Sequence, residues 1–150
     1  MKTTDDSFLS EEAMSQKDIL QLIYKTLSDS IYELGSEIEL LKSHLPANMP
    51  EDKLVMLVGN VRKLVVFLKY SSQYMRQTLA SDGLREEILR IKLHLLSVLR
   101  ALSDQLRLND RNAVHDLITE ELRDNLTLWK INVLPLLRPR VSPTIGSAAI

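Results

Sequence analysis

The run from Leu54 to Leu68 constrains this chain most. Apart from Gly59, Asn60, Arg62 and Lys63, every residue in it is hydrophobic. A segment this apolar must be covered by the rest of the molecule. Two structures could use it. As strands, 54–58 and 61–68 would flank Gly59-Asn60 as a hairpin, and the valines favour that. As a helix, Leu54, Leu57, Val58, Val61, Leu64, Val65 and Leu68 fall at spacings of three and four, one face of a 3.6-residue period. Leu64-Val65-Val66-Phe67-Leu68 does not alternate as a half-buried strand would, so the spacing predicts a helix. Pro50 fits its first position, where the missing N–H costs nothing, and Glu51 and Asp52 then lie where the helix dipole favours anions. Val55, Met56, Val66 and Phe67 lie off the main stripe, which predicts a wide buried face and a central helix.

Three more amphipathic segments surround it. Upstream, Leu20, Leu27, Leu34 and Leu41 recur every seven residues, with Tyr24, Ile31, Ile38 and Leu45 between them, as in a heptad seam. Ser10 before Glu11 and Glu12 suits an N-cap for this helix. Gly35 stands in its middle, either a weak point costing about 1 kcal/mol or a site of close contact. Downstream, Ser81-Asp82-Gly83 supplies a stop, with Gly83 suited to a left-handed cap. A third stripe follows: Leu84, Ile88, Ile91, Leu95, Val98 and Leu102. Asn109 or Asp110 should cap a fourth helix carrying Val114, Leu117, Ile118, Leu122, Leu126, Trp129 and Val133, which Pro135 should kink or end.

Four amphipathic segments with short links predict an all-α fold, a four-helix up-down antiparallel bundle with coiled-coil-like heptad packing. The expected division is a disordered segment 1–9, one bundle domain 10–138 with helices near 10–45, 50–80, 84–107 and 110–136, and a flexible tail 139–150. The first two helices read as longer than the others, so their ends should project.

At 150 residues with 45% hydrophobic content, one domain with a proper core is expected. The absence of cysteine removes disulfides, thiolate nucleophiles and thiolate metal sites, and suits a cytoplasmic setting. No signal peptide is visible at the acidic N-terminus, and no apolar run is long enough to span a bilayer. The net charge of −1 is unevenly spread, with the first third acidic and the remainder basic. The first helix could dock on the others partly by charge, or two faces could serve different partners; an unevenly charged solvated surface is the plainer reading.

The chemistry is sparse. His44, His94 and His115 fall on three different helices, and the Glu-x-x-His spacing of a di-iron bundle is absent, so no metal or cofactor is expected. His94 sits on a helix as in histidine phosphotransfer bundles, but the Lys and Gly that follow their histidine are missing. Neither a Gly-x-Ser-x-Gly elbow nor a glycine-rich phosphate loop exists. Asp29, Glu33 and Glu37 form an acidic stripe of the kind that is ordinarily a solvated face. Arg85, Arg90, Lys92, Arg100 and Arg107 give the third helix a basic character, diluted by Glu86, Glu87 and Asp104.

These features point to a non-enzymatic protein–protein interaction module, an adaptor, chaperone or assembly subunit acting through apolar helix faces. A homodimer would use Leu20, Leu27, Ile31, Leu34, Ile38 and Leu41 of the heptad seam. A second partner surface would be Trp129, Leu134, Leu136, Leu137, Arg138 and Arg140; core closure competes for that stretch, and shallow membrane insertion is the least expected use of it. The alternative is a nucleic-acid-associated regulator using the bases of the third helix, and behind it a phosphotransfer-like bundle.

Overall fold

The computed structural model describes residues 15–79 and 81–141, the side chains of 139–141 excepted. Three long helices come first: α1 (Gln16–Lys42), α2 (Glu51–Thr78) and α3 (Asp82–Arg107). A fourth rod is built of consecutive pieces: α4 (Arg111–Asp116), a π-helical turn Leu117–Leu122, α5 (Arg123–Leu128), a second π-helical turn Trp129–Val133, and α6 (Leu134–Val141). The junction residues Leu117, Arg123, Trp129 and Leu134 all keep right-handed helical dihedrals, so the rod is continuous. The main packing pairs are α1 on α2, α2 on α3, α3 on the rod and the rod on α1, which makes an up-down four-helix bundle. Leu54–Leu68 lies wholly within α2, not in a hairpin.

Local chemistry sets the helix ends. The Ser15 hydroxyl accepts from the Asp18 amide, Ser81 from Leu84 and Asp110 from Ala113, each satisfying an amide that the first turn leaves open. The cap expected at Ser10 lies outside the described residues. A single 3-10 turn, Pro46–Asn48, joins α1 to α2. Pro50 is the N-cap of α2, one residue before the expected position, with Glu51 and Asp52 in the first turn. Among the described residues, Asn109 is left-handed, with φ 57°, where α3 turns into the rod. Gly83 was expected to take that role at the α2 end; it sits in the first turn of α3 with negative φ, because Ser81 starts a helix there.

The core is drawn from the expected stripes. Leu20, Leu27, Ile31, Leu34, Ile38 and Leu41 of α1 meet Leu54, Leu57, Val61, Leu64 and Leu68 of α2, and Ile88, Ile91, Leu95 and Leu102 of α3. Each such burial is worth roughly 1.5–3 kcal/mol against exposure. Two expectations about α2 need correction. Val55, Met56 and Val66 are exposed, so α2 is one of four equivalent walls and not a central helix. Among the described residues α1, α2 and α3 have 27, 28 and 26 residues, so the first two are there hardly longer than the third, against the expectation that they are longer. Leu45 is exposed for a local reason: the chain leaves α1 at Lys42, before the next heptad position.

The π turns answer a feature of the rod's own sequence. Its buried residues Val114, Ile118, Leu122 and Leu126 are spaced strictly by four. Four α-helical residues turn through about 400°, so such a stripe drifts by about 40° per step. The wider π turn slackens the winding and keeps the stripe on the core. Pro135 does not end the helix: the rod runs on through it to Val141. Arg111 pins the start of the rod, donating to the Met49 carbonyl at 2.9 Å and pairing with Glu51.

Candidate functional site

Between α1 and the rod the packing opens into a groove of about 650 Å³. Its α1 wall is Ser28, Tyr32, Gly35, Ser36 and Glu39, and its rod wall is Arg123, Thr127 and Lys130. Ile31, Ile38, Leu126 and Leu134 form the floor, which is continuous with the core. The groove follows helix periodicity on both sides. Ser28, Tyr32, Gly35 and Glu39 step by four, three and four, and so do Arg123, Thr127, Lys130 and Leu134, so each set lies on one face of its helix.

The polar groups divide into spent and available. Ser36 donates to the Tyr32 carbonyl at 3.1 Å and Thr127 to the Arg123 carbonyl at 2.9 Å, so both hydroxyls are used within their own helices. Arg123 and Lys130 are exposed, and neither has a salt bridge among the described residues. Gly35 is not a close-contact site: a Cβ there would meet nothing within 4 Å. The glycine keeps the groove wide at a cost to the helix of about 1 kcal/mol. An apolar floor beneath two cations of the rod wall, with Glu39 on the opposite α1 wall, suits an apolar surface that presents its acids towards the rod.

The predicted partner residues are placed unequally. Leu20, Leu27, Ile31, Leu34, Ile38 and Leu41 are all buried, so the heptad face is covered by the chain's own helices and does not stand open for a second copy. Trp129, Leu134 and Leu137 are also buried and close the core, while Leu136 and Arg138 lie outside. Arg138 donates to the Tyr24 hydroxyl at 3.1 Å and stacks over its ring, holding α6 to α1. The Arg140 side chain lies outside the described residues. Ile31, Ile38 and Leu134 are the predicted residues that meet in the groove. Sequence reasoning missed Tyr32 and Arg123 as partners to them; Leu126 and Lys130 belong to the stretch 126–140 whose surplus of apolar residues suggests a docking surface, and the mid-helix Gly35 was a further signal.

The other candidates resolve into local contacts. His44 sits at the α1 end with Nδ1 3.0 Å from the Leu40 carbonyl. The Asn125 amide nitrogen lies 3.0 Å from Nδ1 of His94, and the Glu121 carboxylate 3.3 Å from its Nε2, so both ring nitrogens face protein groups. Among the described residues no three His, Asp or Glu side chains group to hold a metal ion, and no helix is long and apolar enough to cross a membrane. On α3, Arg85, Arg90 and Arg107 pair with Asp82, Glu87 and Asp104 of the same helix, which neutralises much of its basic face. In the acidic stripe, Asp29 pairs with Lys25, and Glu37 accepts from Asn60 at 2.6 Å. Burial lifts the Glu37 carboxyl above its ordinary value and Glu33 adds to that, against the Asn60 bond and Lys53.

Comparison with protein-family models, with curated proteins and with solved structures gave no match.

Proposed function

We propose that this protein is a non-enzymatic interaction module, of the adaptor, chaperone or assembly kind, that holds a short amphipathic helix of a partner protein in the groove between α1 and α5–α6. The observation carrying this reading is the apolar floor of Ile31, Ile38, Leu126 and Leu134 lying beneath two cations, Arg123 and Lys130, that have no acid partner among the described residues. From Ser28 to Glu39 the wall is about 16 Å long, so it takes about three turns of helix. The fitting partner carries leucines at i, i+3, i+4 and i+7 with acids beside them. Complementary charge selects the partner and its orientation, while burial on the floor supplies the affinity. A cysteine-free chain of this kind suits the reducing cytoplasm. The nucleic-acid alternative draws less support, since the arginines of α3 are largely matched by acids of the same helix.

The test is fluorescence polarisation with a labelled helical peptide of about three turns, bearing leucines on one face and glutamates beside them. A lysine version of the same peptide is the control. The acidic peptide should bind and the basic one should not. Gly35→Trp fills the groove and should weaken binding at least tenfold while the melting temperature stays level or rises. Failure of the acidic peptide to bind, or binding indifferent to Gly35→Trp, would overturn the reading.

A further inference from the structure

The core uses the apolar stripes of all four helices but leaves other apolar side chains outside, and they are unevenly placed. Leu22, Tyr32 and Leu40 are exposed on α1, and Val55, Met56, Val66 and Tyr70 on α2, against Leu93 alone among the large side chains of α3. Tyr70 is 72% exposed and Val55 62%. Charge divides across the same two helices. α1 carries Asp18, Asp29, Glu33, Glu37 and Glu39 against three lysines. Past its first turn, α2 carries Arg62, Lys63, Lys69 and Arg76 and no acid. Among the described residues no salt bridge joins α1 to another helix, so neither excess is neutralised by such pairing within the chain. Of the readings of this uneven charge, docking of α1 on its neighbours partly through charge draws no support from salt bridges among the described residues.

We propose that the outer face of the α1–α2 layer binds the same face of a second copy, with α1 of each copy across α2 of the other. The geometry follows from one contact. The Asn60–Glu37 hydrogen bond sets α1 and α2 level with each other at that height. Both helices rise by 1.5 Å per residue in opposite directions, so Glu33 stands level with Lys63, and Leu40 with Met56. Glu33 and Lys63 indeed line one small cleft between the two helices. A two-fold axis parallel to the helices exchanges the acidic and basic halves while keeping these levels. Glu33 then faces Lys63 of the second copy, and Leu40 faces Met56 of the second copy. The other two-fold, perpendicular to the helices, sets acid on acid and base on base. The pairing is isologous, so it closes at two copies.

The area is sufficient. A layer about 40 Å long and two helix diameters wide presents about 800 Å² per copy, the size of a standard stable interface.

Sedimentation velocity across a concentration series tests this. The protein should pass from monomer to dimer, more weakly at high salt. Glu33→Lys or Lys63→Glu alone sets like charges opposite each other twice and should weaken the dimer roughly tenfold or more. The double variant Glu33→Lys, Lys63→Glu restores opposite charges and should recover it. Thermal unfolding of each dilute variant should match the parent, since both positions are exposed. A monomer at every concentration overturns the proposal. So does a dimer indifferent to either single change, a double variant that fails to recover, or a dimer lost in Gly35→Trp, which alters the groove and not this face.

Discussion

The side-chain amide nitrogen of Asn125 lies 3.0 Å from Nδ1 of His94, across the contact between α3 and the rod. The same nitrogen donates to the Ile91 carbonyl at 2.9 Å, which orients the amide, because a carbonyl can only accept. Nδ1 of neutral His94 must therefore be the acceptor, with the ring proton on Nε2 towards Glu121. Nitrogen NMR shifts of neutral His94 should show the Nε2–H tautomer, and Asn125→Ala should release that preference. The same change removes one buried and one part-buried hydrogen bond and should cost about 1–3 kcal/mol in urea unfolding.

Glu37 and Glu87 should respond to pH in opposite senses. Burial, reinforced by Glu33, raises the folded pKa of Glu37 above its ordinary 4.5, against the opposing effects of Asn60 and Lys53. Its contribution to stability is fully present below 4.5 and is lost as pH rises through the raised folded value. Glu37→Gln keeps an acceptor for Asn60 without the charge, so it should stabilise the protein at pH 7 and make no difference in acid. At Glu87 the Arg90 hydrogen bond holds the carboxyl low, burial opposes this, and Asn132 of the rod adds a second donor. Its contribution is present above 4.5 and is lost as pH falls through the lowered folded value. Glu87→Gln should therefore destabilise at pH 7, with the difference vanishing in strong acid. Urea midpoints at two pH values check both signs.

Trp129 is the sole tryptophan and is 0% exposed. Its fluorescence should be blue-shifted and poorly quenched by acrylamide. Trp129→Ala should cost about 3–5 kcal/mol, as for a large residue removed from a core. An easily quenched, red-shifted emission would place the ring on a surface instead.

Gly59 lies inside α2, and a Cβ there would meet nothing within 4 Å. Gly59→Ala should stabilise by about 0.5–1 kcal/mol through helix propensity alone. Chemical denaturation should show a higher midpoint with an unchanged slope.

Much of the fold was legible because it rests on local periodicity. The four apolar stripes, the Asp110 cap and the acids after Pro50 are each set by residues within a turn or two of one another. The misreadings came where a distant neighbour decides. Nothing near Pro135 says that the helix before it will widen, although the strict spacing by four from Val114 to Leu126 is a trace of it. Ser81 and Gly83 compete for one turn, and the serine prevails by starting α3.

The candidate site was less legible. Ile31, Ile38 and Leu134 were singled out for apolarity, but which of them edge a groove depends on how far α1 and the rod stand apart. The amino-acid sequence by itself determined the helices, their order and the identity of most core residues, because burying an apolar stripe demands a helical period. Only the tertiary structure decided that the heptad face is spent on the chain's own core, that Val55, Met56 and Val66 face outward, and that Asn125 meets His94. Those outcomes depend on which surfaces are left once all four helices have packed, and spacing along one helix does not contain that information.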